Sequence, residues 1–281
     1  MQAPTIHLKL ESRPESVAMV RAMLAGASEL LELGAELLAD LKTAVSEACN
    51  NVVMHAYGEA SGPMIVDFVA APDAVEVTVR DCGDGIRDSA PAENHVGVGI
   101  AVINALAVRA EFLTSPAQGT EVRMVFAYNR SDIAALHRDP RETQVEPAAA
   151  VDGQVVLSVA PVPLLAAILG RLAGAVAAQA YLSVDRYSDL YLIADGIASH
   201  AAEFASSDTI SVGLSAGVRR LDLRVGPFPP GTASQLQSVD PPGPASLHTL
   251  LVDQVSAEVR EGAETVLFTV VDPQARDAAE R

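Results

Sequence analysis

The chain has 281 residues, 49% of them hydrophobic, with a formal net charge of −17, no Trp and only 4% aromatic residues. That length suffices for about two domains of ~100–200 residues, each with a filled core. The acidic balance argues against binding a phosphate backbone or an anionic membrane, and the scarcity of aromatics against a stacking platform for single strands. The two cysteines, Cys49 and Cys82, lie 33 residues apart with no CxxC, and read as reduced and structural rather than as a disulfide or metal pair. "MQAPTIHLKLESR" has no apolar signal segment, and no run of 18 apolar residues follows, so a cytoplasmic protein is expected.

In chain order, "IHLKL" (Ile6 to Leu10) predicts a strand, and "SRPESVAMVRAMLAGASELL" a helix capped near Ser12. The next helix, "LADLKTAVSEACNNVVMHAYG", carries two faces. Leu41, Val45, Ala48 and Val52 form an apolar stripe, and Glu47, Asn51 and His55 recur every fourth residue on a polar one. Strands follow at "GPMIVDFVA" and "AVEVTVRD". In the latter, Val75, Val77, Val79 and Asp81 share one face, so a carboxylate points inward with the valines and needs a donor or a ligand.

"DCGDGI" comes directly after, with Gly83 and Gly85 permitting tight turns and close approach. "VGVGI" (Val96 to Ile100) then leads into a predicted helix, "GIAVINALAVRAEF", whose start suits phosphate. "TEVRMVFAY" is the last strand of this region, with Thr120 at its start.

Residues 129–150 are polar and contain proline, which marks a linker between residues 1–128 and 151–281. The second region repeats the order of elements: "VVLSV", a helix from Pro163, a helix over "YSDLYLIADGIASHAAEF", and strands "TISVGLSA" and "RRLDLRVG". A Pro-rich loop, a predicted helix "SLHTLLVDQVSAEV" and a strand "ETVLFTVVD" complete it. Aligned at a spacing of 145 residues, His200 falls opposite His55, Leu192 opposite Glu47, Gly196 opposite Asn51 and Thr265 opposite Thr120; Val225, on the inward face of "RRLDLRVG" and one residue off that spacing, takes the place of Asp81. The pattern predicts a duplicated domain of class α+β, each copy a two-layer sandwich with helices on one face of a mixed sheet.

Singly, each motif is as well explained by a solvated helix face, a hairpin turn or a plain cap. Together and in this order they resemble the ATP-binding domain shared by gyrase, the ninety-kilodalton chaperones, sensor histidine kinases and mismatch-repair ATPases. The short form with "LKTAVSEACNNVVMHAYG" is most similar to the anti-sigma-factor serine kinases. The resemblance covers about Ile6 to Tyr128 and implies a Bergerat-type fold, ATP and Mg²⁺ as cofactors, and protein-serine kinase activity. It implies Asn51 as the Mg²⁺ ligand, Glu47 as general base and Asp81 as acceptor for the adenine amino group. It gives Gly83, Gly85 and Ile86 to the base, Gly97, Val98, Gly99 and Ile100 to the phosphates, and Thr120 to the adenine side. Partners implied are a sigma factor and an anti-anti-sigma (STAS-type) protein.

One departure stands in "ENHVGVGI". His95 occupies the place where these kinases carry a basic residue, which supports ATP binding better than turnover and leaves a non-catalytic, ATP-gated binding module as the alternative. The second copy lacks the ligand, base and acceptor, so a nucleotide-free unit in a monomeric pseudo-dimer is expected.

Overall fold

The computed structural model describes residues 3–83, 96–115, 119–128, 151–236 and 251–272. The chain divides into two compact units, Met1–Glu146 and Pro147–Arg281. The proposed linker lies outside the described residues.

The first unit runs β1 (Thr5–Glu11), α1 (Pro14–Leu30), α2 (Ala35–Asn51), a π-helical turn (Val52–Ala56), β2 (Pro63–Ala70), β3 (Ala74–Asp81), α3 (Val96–Leu106), β4 (Arg109–Ser115) and β5 (Gly119–Ala127). Its strands lie in the order β4-β5-β3-β2-β1. Every pairing in it is antiparallel, so the sheet is not the mixed one expected. Strand alternation sends Ile6, Leu8 and Leu10, with Met64, Val66 and Phe68, into the core. Met19, Met23, Leu41, Val45 and Ala48 of the helices are buried with them. The stripe expected on α2 is this buried face.

Three local expectations are corrected. Ser12 does not cap α1: the cap position is Arg13, without a side-chain bond, and Pro14 opens the helix. Ser12 Oγ instead accepts from the Gly62 N–H at 3.0 Å, tying the end of β1 to the entry of β2. The third helix stops at Leu106, and "RAEFLTS" is the edge strand β4, paired with β5. Its alternation is muted because an edge strand beyond the helices buries neither face.

The second unit runs β6 (Val155–Ala160), α4 (Leu164–Gln179), α5 (Val184–Phe204), β7 (Ile210–Gly217), β8 (Arg220–Phe228), α6 (Thr232–Leu236), β9 (Gln254–Arg260) and β10 (Ala263–Val271). Its strand order, β6-β7-β8-β10-β9, follows that of the first unit, and its pairings are also antiparallel. The predicted helix over "SLHTLLVDQVSAEV" is overturned for its second half: Gln254–Arg260 is an edge strand on β10. Residues 246–250 lie outside the described residues.

The burial pattern corrects the internal alignment. Buried Leu41, Ala44, Val45, Ala48, Cys49 and Val52 of the first unit match buried Leu190, Ile193, Ala194, Ile197, Ala198 and Ala201 at a spacing of 149 residues, not 145. At the same spacing, Ile6, Leu8 and Leu10 match Val155, Leu157 and Val159. Glu32 and Tyr181, which share positive φ angles of 52° and 54° in the turns between the helix pairs, match as well. The hairpins shift the spacing again. Both close on two-residue turns, and counting outward from them sets Val79 beside Val225 and Asp81 beside Pro227.

Candidate functional site: a nucleotide pocket

The motif residues of the first unit gather where α2, the start of α3 and the adjoining ends of β3 and β5 approach one another. Glu47 and Asn51 are half-buried in the last turns of α2. Gly99, buried in α3, lies against both. A β-carbon there would stand 3.0 Å from Glu47 Oε2 and 3.7 Å from Asn51 Oδ1. A side chain there would meet Asn51 in ordinary contact and push Glu47 back by a few tenths of an ångström, so the glycine is what lets the carboxylate sit this close to α3. Val98, 63% exposed, and Ile100, half-buried, flank Gly99, and Gly97 lies in the same first turn.

Asp81 ends β3 and is buried, facing inward as its alternation predicts. Its Oδ1 accepts from the Gly83 N–H at 2.9 Å and the Thr120 N–H at 3.1 Å. These two donors fix the carboxylate and bind the turn after β3 to the start of β5. Oδ2 has no hydrogen-bond donor among the described residues, so one acceptor remains for a ligand. Gly119 makes the arrangement possible: its φ is +81°, and a β-carbon would fall 2.2 Å from the Asp81 carbonyl oxygen.

The turn after β3 also rests on the end of the motif helix. A β-carbon on Gly83 would lie 2.1 Å from the Ala56 carbonyl oxygen. The Tyr57 hydroxyl accepts from the Cys82 N–H at 2.7 Å and donates to the Pro63 carbonyl at 2.6 Å. Burial raises the Tyr57 pKa, the Cys82 hydrogen bond pulls it back, and the charge of Asp81 adds to the rise, so the phenol stays a donor at neutral pH. Tyr57, Gly119 and the π-helical turn were not singled out from the sequence. The turn breaks the four-residue spacing, and His55, expected on the Glu47–Asn51 face, is solvent-exposed. Such π turns are frequent at functional sites. Gly85, Ile86 and His95 lie outside the described residues.

The donor set fits Mg²⁺–ATP. Asn51 offers a hard amide oxygen, Glu47 lies beside it, and the first turn of α3 brings helix-start N–H groups, which suit phosphate, next to both. Bound there, Mg²⁺–ATP would supply a phosphoryl group with its charge neutralised. Asn51 would hold the metal, Asp81 Oδ2 would accept from the base, and Glu47 would take the proton of an attacking hydroxyl. A separate cleft of about 840 Å³, lined by Leu31, Gly34, Ala70, Pro72 and Tyr128 among others, contains none of these residues. It opens beside Ala70, at the far end of β2 from Met64, the partner of Asp81.

The corresponding place in the second unit is filled. At the 149-residue spacing, Gly196 stands for Glu47 and His200 for Asn51, replacing the pairs expected from the sequence. His200 is buried, its ring 4.6 Å from that of Phe204 and 5.5 Å from that of Phe228. Val122 pairs with Val79 and Val266 with Val225, so Glu264, not Thr265, stands two residues before as Thr120 does. Its buried carboxylate accepts from the Gly231 N–H and, at 2.7 Å, from the Ala233 N–H, holding the turn that opens α6.

Residues 10–126 match the family of the histidine kinase-like ATPase domain. An anti-sigma F factor of Pasteuria penetrans is 34% identical over 137 residues, covering 44% of this chain and 91% of that protein. That of Caldanaerobacter subterraneus is 30% identical over 129 residues, 42% of this chain and 90% of that protein. A serine-protein kinase RsbW of Bacillus velezensis is 42% identical over 80 residues, 28% of this chain and 50% of that protein. The chain therefore belongs, through its first unit, to the anti-sigma-factor family of histidine kinase-like ATPases.

Proposed function

We propose that this chain is an ATP-binding anti-sigma factor with protein-serine kinase activity toward an anti-anti-sigma protein of the STAS type. The observation that carries the reading is the approach of the Gly99 backbone to both Glu47 and Asn51. It sets a carboxylate beside a metal-ligand candidate at a helix start, the arrangement a phosphoryl transfer needs for proton abstraction and charge neutralisation. The names of the relatives, anti-sigma F factor and serine-protein kinase, support the same activity.

The second unit is read as a degenerate copy, retained for packing, so that one chain does the work of a pair. The shared order of elements and the matched burial pattern support this. A covalent link of this kind gives the two units an effective concentration of about millimolar.

The experiment is incubation of labelled ATP and Mg²⁺ with purified chain and a candidate anti-anti-sigma protein, comparing wild type with Glu47→Ala. Label on a serine of the partner, lost in the variant, is the expected result. Tight ATP binding with no transfer to any such partner would replace the kinase reading with that of the ATP-gated module.

A further inference from the structure

Helix α5 of the second unit exposes an apolar face that its counterpart in the first unit lacks. Val184 is 82% exposed, Leu192 60% and Tyr191 46%, and Tyr187 lies beside Tyr191 with ring centroids 5.9 Å apart, edge to face. Tyr181, 78% exposed, stands just before the helix. Three of the five tyrosines of the chain are thus collected in one exposed arc.

Two glycines of α4 set their position. A β-carbon on Gly174 would stand 2.7 Å from the Tyr187 hydroxyl oxygen, and one on Gly170 3.1 Å from Tyr191 Cδ1. Both rings therefore pack against the glycine side of α4, which restrains them while each stays partly exposed. Rigid tyrosines of this kind give large contact area at low entropic cost, and they are enriched at interfaces. At the 149-residue spacing, the first unit carries Glu32, Ala35, Leu38, Lys42 and Thr43 at these places, a far less aromatic surface.

Charge names the occupant. Asp185 and Asp195 are exposed on the same helix. Two cations lie near: Arg186 is engaged internally with Asp189, Asp253 and the carbonyls of Val271 and Leu251, and Arg219, whose N–H bonds the Ala180 carbonyl beside Tyr181, is paired with the buried Asp272 at 3.7 Å. An apolar strip beside the exposed carboxylates of Asp185 and Asp195 suits a partner that is apolar and cationic at once. A second copy of this chain, with its net charge of −17, is the wrong sign, as are a nucleic acid and an anionic membrane. We propose that the Tyr187–Tyr191 face of α5 is a docking surface for a cationic amphipathic helix of a partner protein. It uses no residue of the nucleotide pocket.

The absence of Trp from the chain gives a clean assay. The probe is a Leu/Lys amphipathic peptide of about 18 residues, five helical turns, carrying a single Trp. Its fluorescence should shift to the blue on binding the full chain. Val184→Gln with Leu192→Gln, exposed neutral changes whose folding is checked by thermal unfolding, should weaken binding about tenfold, as loss of central apolar contacts does. Should the pair fail to fold, Val184→Gln alone should still weaken it severalfold. Asn51→Ala should leave it unchanged. Equal affinity of wild type and the Gln variants would overturn the proposal. So would equal binding of a peptide with the same charge and a scrambled apolar face. Preferential binding of RNA or of phosphatidylserine vesicles would also do so, as would a chain dimer that the Gln variants dissociate.

Discussion

Gly99 and Glu47 are in backbone-to-carboxylate contact: the place a Gly99 β-carbon would take is 3.0 Å from Glu47 Oε2. The contact joins two helices separated by two strands in the chain, and it fixes the distance between a base candidate and the proposed phosphate-binding turn. The carboxylate is the end of a flexible side chain, so it can yield to a methyl group. Gly99→Ala should therefore leave thermal stability unchanged or raise it slightly, since Ala gains up to about 1 kcal/mol over Gly within a helix. Serine phosphorylation should fall about tenfold or more, because Glu47 is displaced from its place. Parallel melting curves and transfer rates check the split.

Asp81→Asn keeps an oxygen for the Gly83 and Thr120 N–H groups. The other position then becomes an amide donor facing the amino group of adenine. ATP affinity should drop at least about tenfold and the preference for ATP over GTP should shrink, since a donor there suits the carbonyl of guanine. Asn51→Ala should instead abolish the Mg²⁺ dependence of binding. Competition titrations with and without metal separate the two.

Calorimetry should find one nucleotide site per chain. His200→Asn should not add a second, because Phe204 and Phe228 stay packed around that position and Glu264 holds the turn before α6. A stoichiometry of two would refute this.

On the sheet face away from the helices, His7 Nδ1 lies 2.6 Å from Asp67 Oδ1, and the Arg80 guanidinium bonds the other oxygen of the same carboxylate. Asp67→Ala should destabilise the first unit by about 1–3 kcal/mol by leaving the buried His7 and the half-buried Arg80 without their partner, and Asp67→Asn by less. Chemical denaturation of the variants tests the order.

The two thiols should react very differently. Burial pushes the Cys49 pKa up to about 12, whereas Cys82 is exposed beside the pocket. An alkylating reagent at pH 8 should modify Cys82 alone, and ATP should slow it. Cys49 should react only on unfolding. Because its folded pKa lies above the unfolded value near 9.0, its contribution to stability is complete below pH 9 and is lost as pH rises toward 12.

The sequence by itself determined the strand–helix–helix–hairpin order, the buried stripe of α2, the inward Asp81 and the grouping of motif residues along the chain. These rest on periodicity and on local glycine patterns, which are properties of neighbouring residues. Tertiary structure alone decided what depends on pairing across the fold. It made "RAEFLTS" and "QVSAEVR" edge strands, because only β5 and β10 offer them partners. It moved the internal spacing from 145 to 149 residues, because burial follows three-dimensional packing and not the chance match of two histidines. And it brought Gly99 to Glu47 and Gly119 to Asp81, contacts set by helix packing and strand register that no local pattern carries.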